Sequence, residues 1–168
     1  MLKVGVLASG RGTNLQAIID ACEKKMINAK VVVVVSDNEN AYALERAKKH
    51  GIDAYFVDAS NKEKHERKID EIFESYGVEL AVGAGYMRIL SPWFINKWYG
   101  KLINIHPALL PSFKGIDAQR QALEYGVKIT GCTTHFMDEK PDHGPITVSY
   151  THLRAHETRH DLVCRLLL

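Results

Sequence analysis

Apolar positions along this chain alternate between short continuous runs and helix-period stripes. An apolar run over residues 1–8 predicts an opening strand. Residues 29–36 (AKVVVVVS) are so continuously β-branched that they predict a central parallel strand buried on both faces. Residues 53–57, 79–84 and 101–106 predict further strands, and 128–137 predicts a last one from its β-branched content. Between them the period lengthens to that of a helix. Residues 15–22 are amphipathic, with Thr13 or Asn14 as N-cap. Residues 41–50 turn Tyr42, Leu44 and Ala47 inward, and residues 61–76 turn Ile69, Ile72 and Phe73 inward while their Lys and Glu form a solvated face. Residues 93–98 follow Pro92 in a first helical turn, and residues 118–125 make the last helix. Strand and helix alternate five times, which predicts an α/β fold with a doubly wound, mostly parallel, Rossmann-like sheet. No internal repeat or linker interrupts the pattern.

Composition narrows the functional classes without choosing one. The 168 residues are 46% hydrophobic and 25% charged, so the chain can bury a core and is not of the disordered class. A net charge of +2 gives no electrostatic case for nucleic acid or an anionic membrane. Cys22, Cys132 and Cys164 form no metal-spaced pair and point to a reducing compartment. The opening apolar run is too short for a signal peptide or a spanning helix, so a cytoplasmic location is expected.

Chemistry concentrates where strands end. The first strand runs into Ser9-Gly10-Arg11-Gly12-Thr13-Asn14 and then a helix, an arrangement that offers unpaired N–H groups and a helix dipole to an anion. Leu15 stands where a dinucleotide fingerprint needs its third glycine, and the Gly-Lys-Ser/Thr of a nucleoside-triphosphate loop is absent. What remains suits one phosphomonoester held by Gly12, Thr13 and Asn14; the plain alternative is a tight turn with no ligand. Asn104 and His106 share a face at the carboxyl end of their strand. The carboxamide can donate to a developing oxyanion and the imidazole can shuttle a proton, although both could simply cap the strand. His143 reads as an exposed turn residue, and His50 and His65 fall on polar helix faces without a signal. The glycine loop, residues 85–90 and Asn104-x-His106 all lie at strand carboxyl ends, where ligands of such sheets bind, and this coincidence favours a site.

Four ordered motifs carry a resemblance over residues 1–146: Ala8-Ser9-Gly10-x-Gly12-Thr13-Asn14-Leu15-Gln16, Gly85-Tyr86-Met87-Arg88-Ile89-Leu90, the stretch from Asn104-Ile105-His106-Pro107 to Phe113-Lys114-Gly115, and Asp142-x-Gly144-Pro145. Together they resemble the phosphoribosylglycinamide formyltransferase family of folate-dependent purine synthesis. The resemblance implies transfer of a formyl group from the co-substrate 10-formyltetrahydrofolate to the amine of glycinamide ribonucleotide, with no metal. It implies that Gly12, Thr13 and Asn14 hold the substrate phosphate. Met87, Arg88, Ile89 and Leu90 would line the pteridine pocket, largely through backbone groups, and Lys62 would reach the folate. Asn104, His106 and Asp142 would be the catalytic group, with Asn104 also against the folate and an ionised Asp142 favouring the imidazolium of His106. His135 would sit near the folate side or be a buried histidine bonded to backbone. The implied partners are small molecules, neither nucleic acid nor membrane, with a homodimer left open.

Other readings stand beside this one. A methionyl-tRNA formyltransferase would add a basic C-terminal domain and a formyltetrahydrofolate hydrolase an N-terminal regulatory domain. A non-catalytic nucleotide-binding Rossmann module could use Asp37 as the acid closing the second strand, but it lacks the third glycine. Past Ile146 the family pattern stops: residues 1–146 read as a C-terminally truncated formyltransferase domain and residues 147–168 as a non-family tail of foreign origin. His152, His156 and His160 recur every four residues, the spacing of a metal stripe on a helix, in a tail with no carboxylate-rich surroundings. Loss of the family's closing strand and helix, with the substrate-contacting carboxylate they carry, is expected to leave the 168-residue chain with weak or no turnover.

Overall fold

A computed structural model describes residues 1–151. In chain order the elements are β1 (Leu2–Leu7), α1 (Thr13–Glu23), β2 (Ala29–Ser36), α2 (Tyr42–Lys49), β3 (Asp53–Phe56), α3 (Lys62–Ser75), β4 (Leu80–Gly83), α4 (Pro92–Lys97), β5 (Leu102–His106), α5 (Ala118–Tyr125), β6 (Cys132–Phe136) and β7 (Ile146–Tyr150). They form one seven-stranded sheet of order β3-β2-β1-β4-β5-β6-β7, parallel from β3 to β5 and antiparallel across β5/β6 and β6/β7. This is the expected doubly wound, mostly parallel sheet.

Two apolar layers sandwich it. On one face Val4, Val6, Val31 and Val34 pack against Leu15, Ile18, Leu44 and Ala47 of α1 and α2. On the other, Leu7, Val33 and Val35 meet Ile69, Phe73, Phe94 and Trp98 of α3 and α4. Strand β2 therefore feeds both layers, which is why its sequence shows no polar alternation. The chain advances from β1 to β3 in one direction and returns to β4 on the other side of β1. That reversal opens a crevice beyond the carboxyl ends of β1 and β4.

Several local expectations are corrected. The N-cap of α1 is Gly12, left-handed at φ 69°, with no side-chain cap; Thr13 and Asn14 stand inside the first turn. Tyr42 is exposed, its ring covered by Arg46 and Lys49 at 4.9 and 5.2 Å from the centroid, and Ala43 takes the inward position. Residues 128–131 precede β6 rather than belong to it.

The charged helix α3 is not solvated throughout. Glu66 and Asp70 are buried, and each ties α3 to the next helix. Glu66 accepts from the Ser91 amide at 2.7 Å and from its hydroxyl, and Ser91 is the N-cap of α4. Asp70 accepts from Lys97 Nζ at 2.6 Å and Trp98 Nε1 at 3.1 Å. His65 is also buried, between the Asp58 carbonyl and the Tyr86 hydroxyl, and His50 joins Gln16 and Glu23. A bare count of polar positions misplaces these residues because a buried charge with a good partner looks the same in sequence as a solvated one.

Strand β7 runs across residue 146, so residues 147–150 lie in the sheet beside β6. The His152, His156 and His160 row and Cys164 lie outside the described residues. No helix among the described residues is long and apolar enough to cross a membrane.

Candidate active site

Strand β5 aims its last residues into the crevice. Asn104 lies opposite Gly83 on β4 and His135 on β6. A Cβ on Gly83 would sit 3.0 Å from Asn104 Oδ1, so the missing side chain is what leaves room for the carboxamide. Asn104 Nδ2 approaches His135 Nε2 at 3.5 Å. The His135 Nδ1 faces the Phe136 carbonyl at 2.9 Å, which can only accept, so that nitrogen carries the proton and Nε2 is free to accept from Asn104. Directed this way, the amide has a second N–H left over for a ligand.

His106 is 3% exposed and held at both nitrogens. Nε2 donates to the Phe113 carbonyl at 2.7 Å, and Nδ1 lies 3.3 Å from Asp142 Oδ2. The Phe113 carbonyl can only accept, so Nε2 carries a proton and Nδ1 is the edge turned to the carboxylate. Asp142 is itself positioned by the Gly115 amide at 2.8 Å, and its Oδ1 lies 3.6 Å from His135 Nε2. Its backbone is left-handed at φ 49°, a region that Asp tolerates better than most residues. The loop after β5 is pinned from below: Thr133 Oγ1 donates to the Ala108 carbonyl at 2.8 Å and accepts from the Leu110 amide at 3.1 Å.

These groups border a cleft of about 400 Å³ whose wall includes Met87, Arg88, Ile89 and Leu90 as well as Asn104, His106, His135 and Asp142. Met87 and Ile89 are exposed, whereas Leu90 is buried beneath them. Lys62 does not reach this cleft. It is exposed on an adjoining groove of about 310 Å³ that shares the Tyr86–Leu90 wall. Gly12, Thr13 and Asn14 also stand outside the cleft's lining. Their loop is anchored separately on α2, through Ala43 N to the Gly10 carbonyl at 3.0 Å and Arg46 Nε to the Arg11 carbonyl at 2.8 Å. Asn14 Oδ1 is buried there with no partner among the described residues.

Gly12 is irreplaceable at this anchor. A Cβ would come within 2.7 Å of the Ala43 Cα, backbone that cannot swing aside, at a φ that L-residues resist. We expect Gly12→Ala to destabilise the fold by at least about 1–2 kcal/mol, the cost of the left-handed backbone alone. Binding of inorganic phosphate should fall along with it. Thermal melts and a phosphate titration check both; unchanged phosphate affinity would remove this loop from the substrate site.

Sequence reasoning missed the Phe113 carbonyl, Gly83 and the contacts of His135 with Asn104 and Asp142. The first is a backbone atom with no side-chain signature. Gly83 and the contact of His135 with Asn104 follow from strand pairing, the antiparallel β5/β6 register placing His135 beside Asn104, whereas Asp142 comes from the turn between β6 and β7. The expected bond of His135 to backbone is present as well. His143 is exposed as anticipated and pairs with Asp138 at 2.6 Å.

A family model described as formyl transferase matches residues 2–167. Phosphoribosylglycinamide formyltransferase of Escherichia coli (strain K12) is 42% identical over 148 residues, which cover 86% of this chain and 70% of that protein. The trifunctional purine biosynthetic protein adenosine-3 of Gallus gallus is 45% identical over 148 residues, and there the chain spans 15% of the relative's length. Among solved structures, glycinamide ribonucleotide transformylase 1 of Symbiobacterium toebii superposes with a TM-score of 0.90 at 42% identity, covering 97% of this chain and 81% of that one.

Proposed function

The chain belongs to the formyl transferase family and is similar to its phosphoribosylglycinamide formyltransferases, and we propose that its reaction moves a formyl group from 10-formyltetrahydrofolate to the amine of 5'-phosphoribosylglycinamide. One observation carries the reading: Asn104, His106 and Asp142 converge at a cleft walled by the Met87–Leu90 segment. The amine nitrogen attacks the formyl carbon, forming the new C–N bond and a tetrahedral oxyanion. The free N–H of Asn104 donates to that oxyanion, and His106, when protonated, adds a positive charge beside it. Collapse breaks the bond to the folate nitrogen, which takes up a proton as the amine gives one away. His106 and a water oriented by Asp142 pass it between them.

In this reading Gly12, Thr13 and Asn14 bind the phosphate, Met87, Arg88, Ile89 and Leu90 the pteridine, and Lys62 the folate tail from its groove. The machinery resides in residues 1–146, the partners are small molecules, and the location is cytoplasmic. The dinucleotide alternative is weakened by Asp37, whose Oδ2 is engaged by Arg88 at 2.7 Å instead of awaiting a ribose.

Thermal stabilisation tests the assignment with glycinamide ribonucleotide, a folate analogue and NAD in parallel. A ligand at about 100 times its Kd adds roughly 2.7 kcal/mol to the stability of the folded state. Shifts are expected with the first two. A shift with NAD alone would overturn the reading.

A further inference from the structure

Asp37 is an acidic residue at a strand's carboxyl end that the reaction above does not use. It follows β2, and its side chain is 8% exposed. Across the crevice, the Arg88 guanidinium donates to it through Nε at 2.7 Å. The other carboxyl oxygen, Oδ1, is buried with no hydrogen-bond partner among the described residues. Burial alone would push the carboxyl pKa up, but the nearby Ser9 side chain and the Arg88 guanidinium hold it below the ordinary range. The carboxylate is therefore ionised at neutral pH. Its contribution to stability is complete above the ordinary carboxylate range and is lost only as pH falls through the lowered value.

Ser9 makes a second tie to the same wall. Its Oγ accepts from the Met87 amide at 2.9 Å, and its own amide donates to the Gly85 carbonyl at 3.1 Å. That tie holds the Met87 backbone from the end of β1, next to the one that Asp37 makes to Arg88. Arg88 is gripped directly. Residues 86–91 are irregular and make no helix or strand of their own, so their shape depends on such ties.

We propose that Asp37 is a positioning residue for the formyl donor: through its grip on Arg88 it sets the backbone of the Met87–Leu90 wall against which the folate head lies. This rests on the folate assignment made above. The glycine loop does not share the dependence, because residues 10 and 11 hang from Ala43 and Arg46 on α2. The two substrates should consequently respond differently to loss of Asp37, which a general loosening of the fold would not produce.

The test compares the full chain with Asp37→Ala and Asp37→Asn. For Asp37→Ala the Kd of a folate analogue should rise about tenfold, the low end for losing a hydrogen bond to a charged group. The Kd of glycinamide ribonucleotide should move by less than about twofold, the range of a surface change. Asp37→Asn keeps an acceptor for Arg88 Nε and should recover most of the folate affinity. Hydrogen exchange at the Met87 amide gives a reading independent of any ligand and should speed up in Asp37→Ala. Unchanged exchange, or equal losses for both ligands, overturns the proposal. If the parent chain binds no folate analogue while the Met87 amide still loses protection, the folate assignment fails and the structural tie survives.

Discussion

Replacing His106 with alanine is expected to lower kcat by a factor of roughly 10²–10⁴, the usual contribution of a positioned proton donor. The ring stands at the cleft beside Asn104 and against the Asp142 carboxylate. Nε2 is fixed on the Phe113 carbonyl and Nδ1 faces Asp142, so the orientation of the ring is set before substrate arrives. The same contacts mean that the substitution also affects the fold. It leaves the Phe113 carbonyl without its donor, although Asp142 keeps the Gly115 amide, so a stability loss of about 1–3 kcal/mol is expected. A melt separates the two effects: activity measured well below the melting point should still show the full kinetic deficit. Near-parental turnover in the folded variant would refute the assignment of His106 as acid.

Most of the fold could be read from the chain because burial in an α/β sandwich imposes strong periods. The run in β2 is apolar throughout since it packs on both faces, and α3 shows Ile69, Ile72 and Phe73 at helical spacing because only one side meets the sheet. Where the reading failed, the cause is a tertiary contact that reverses a local preference. Gly12 takes the cap from Thr13 because the loop must pass within contact of Ala43. Glu66 and Asp70 are buried because Ser91, Lys97 and Trp98 arrive from α4 to satisfy them.

The candidate site shows the same division. Asn104 and His106 could be paired from strand alternation within β5, which is local. That Asp142 lies 3.3 Å from His106 follows from residues 36 positions later, and a sequence supports it only through resemblance to a family. Asp37 marks the limit most clearly. By its place after the second strand it looked like a ribose-binding acid, yet the structure gives its carboxylate to Arg88, 51 residues downstream.

Asn104→Ala should lower kcat by roughly 10²–10³, or about 3–4 kcal/mol, the cost of removing one oxyanion donor. Unlike His106, this side chain holds little of the fold together. It is half-buried, and its described polar contact is the long one to His135 at 3.5 Å. The melting temperature should accordingly stay close to that of the parent. KM should also stay close, because a donor that meets charge developing only in the transition state adds little to ground-state binding. Asn104→Asp sharpens the comparison. It matches the carboxamide in shape and still fits over Gly83, but at neutral pH it offers the oxyanion a negative charge instead of an N–H, so it should be at least as damaging as alanine. Retention of activity in Asn104→Asp would mean that the side chain supports the cleft by shape alone. In that case the oxyanion would have to be stabilised by His106 without it.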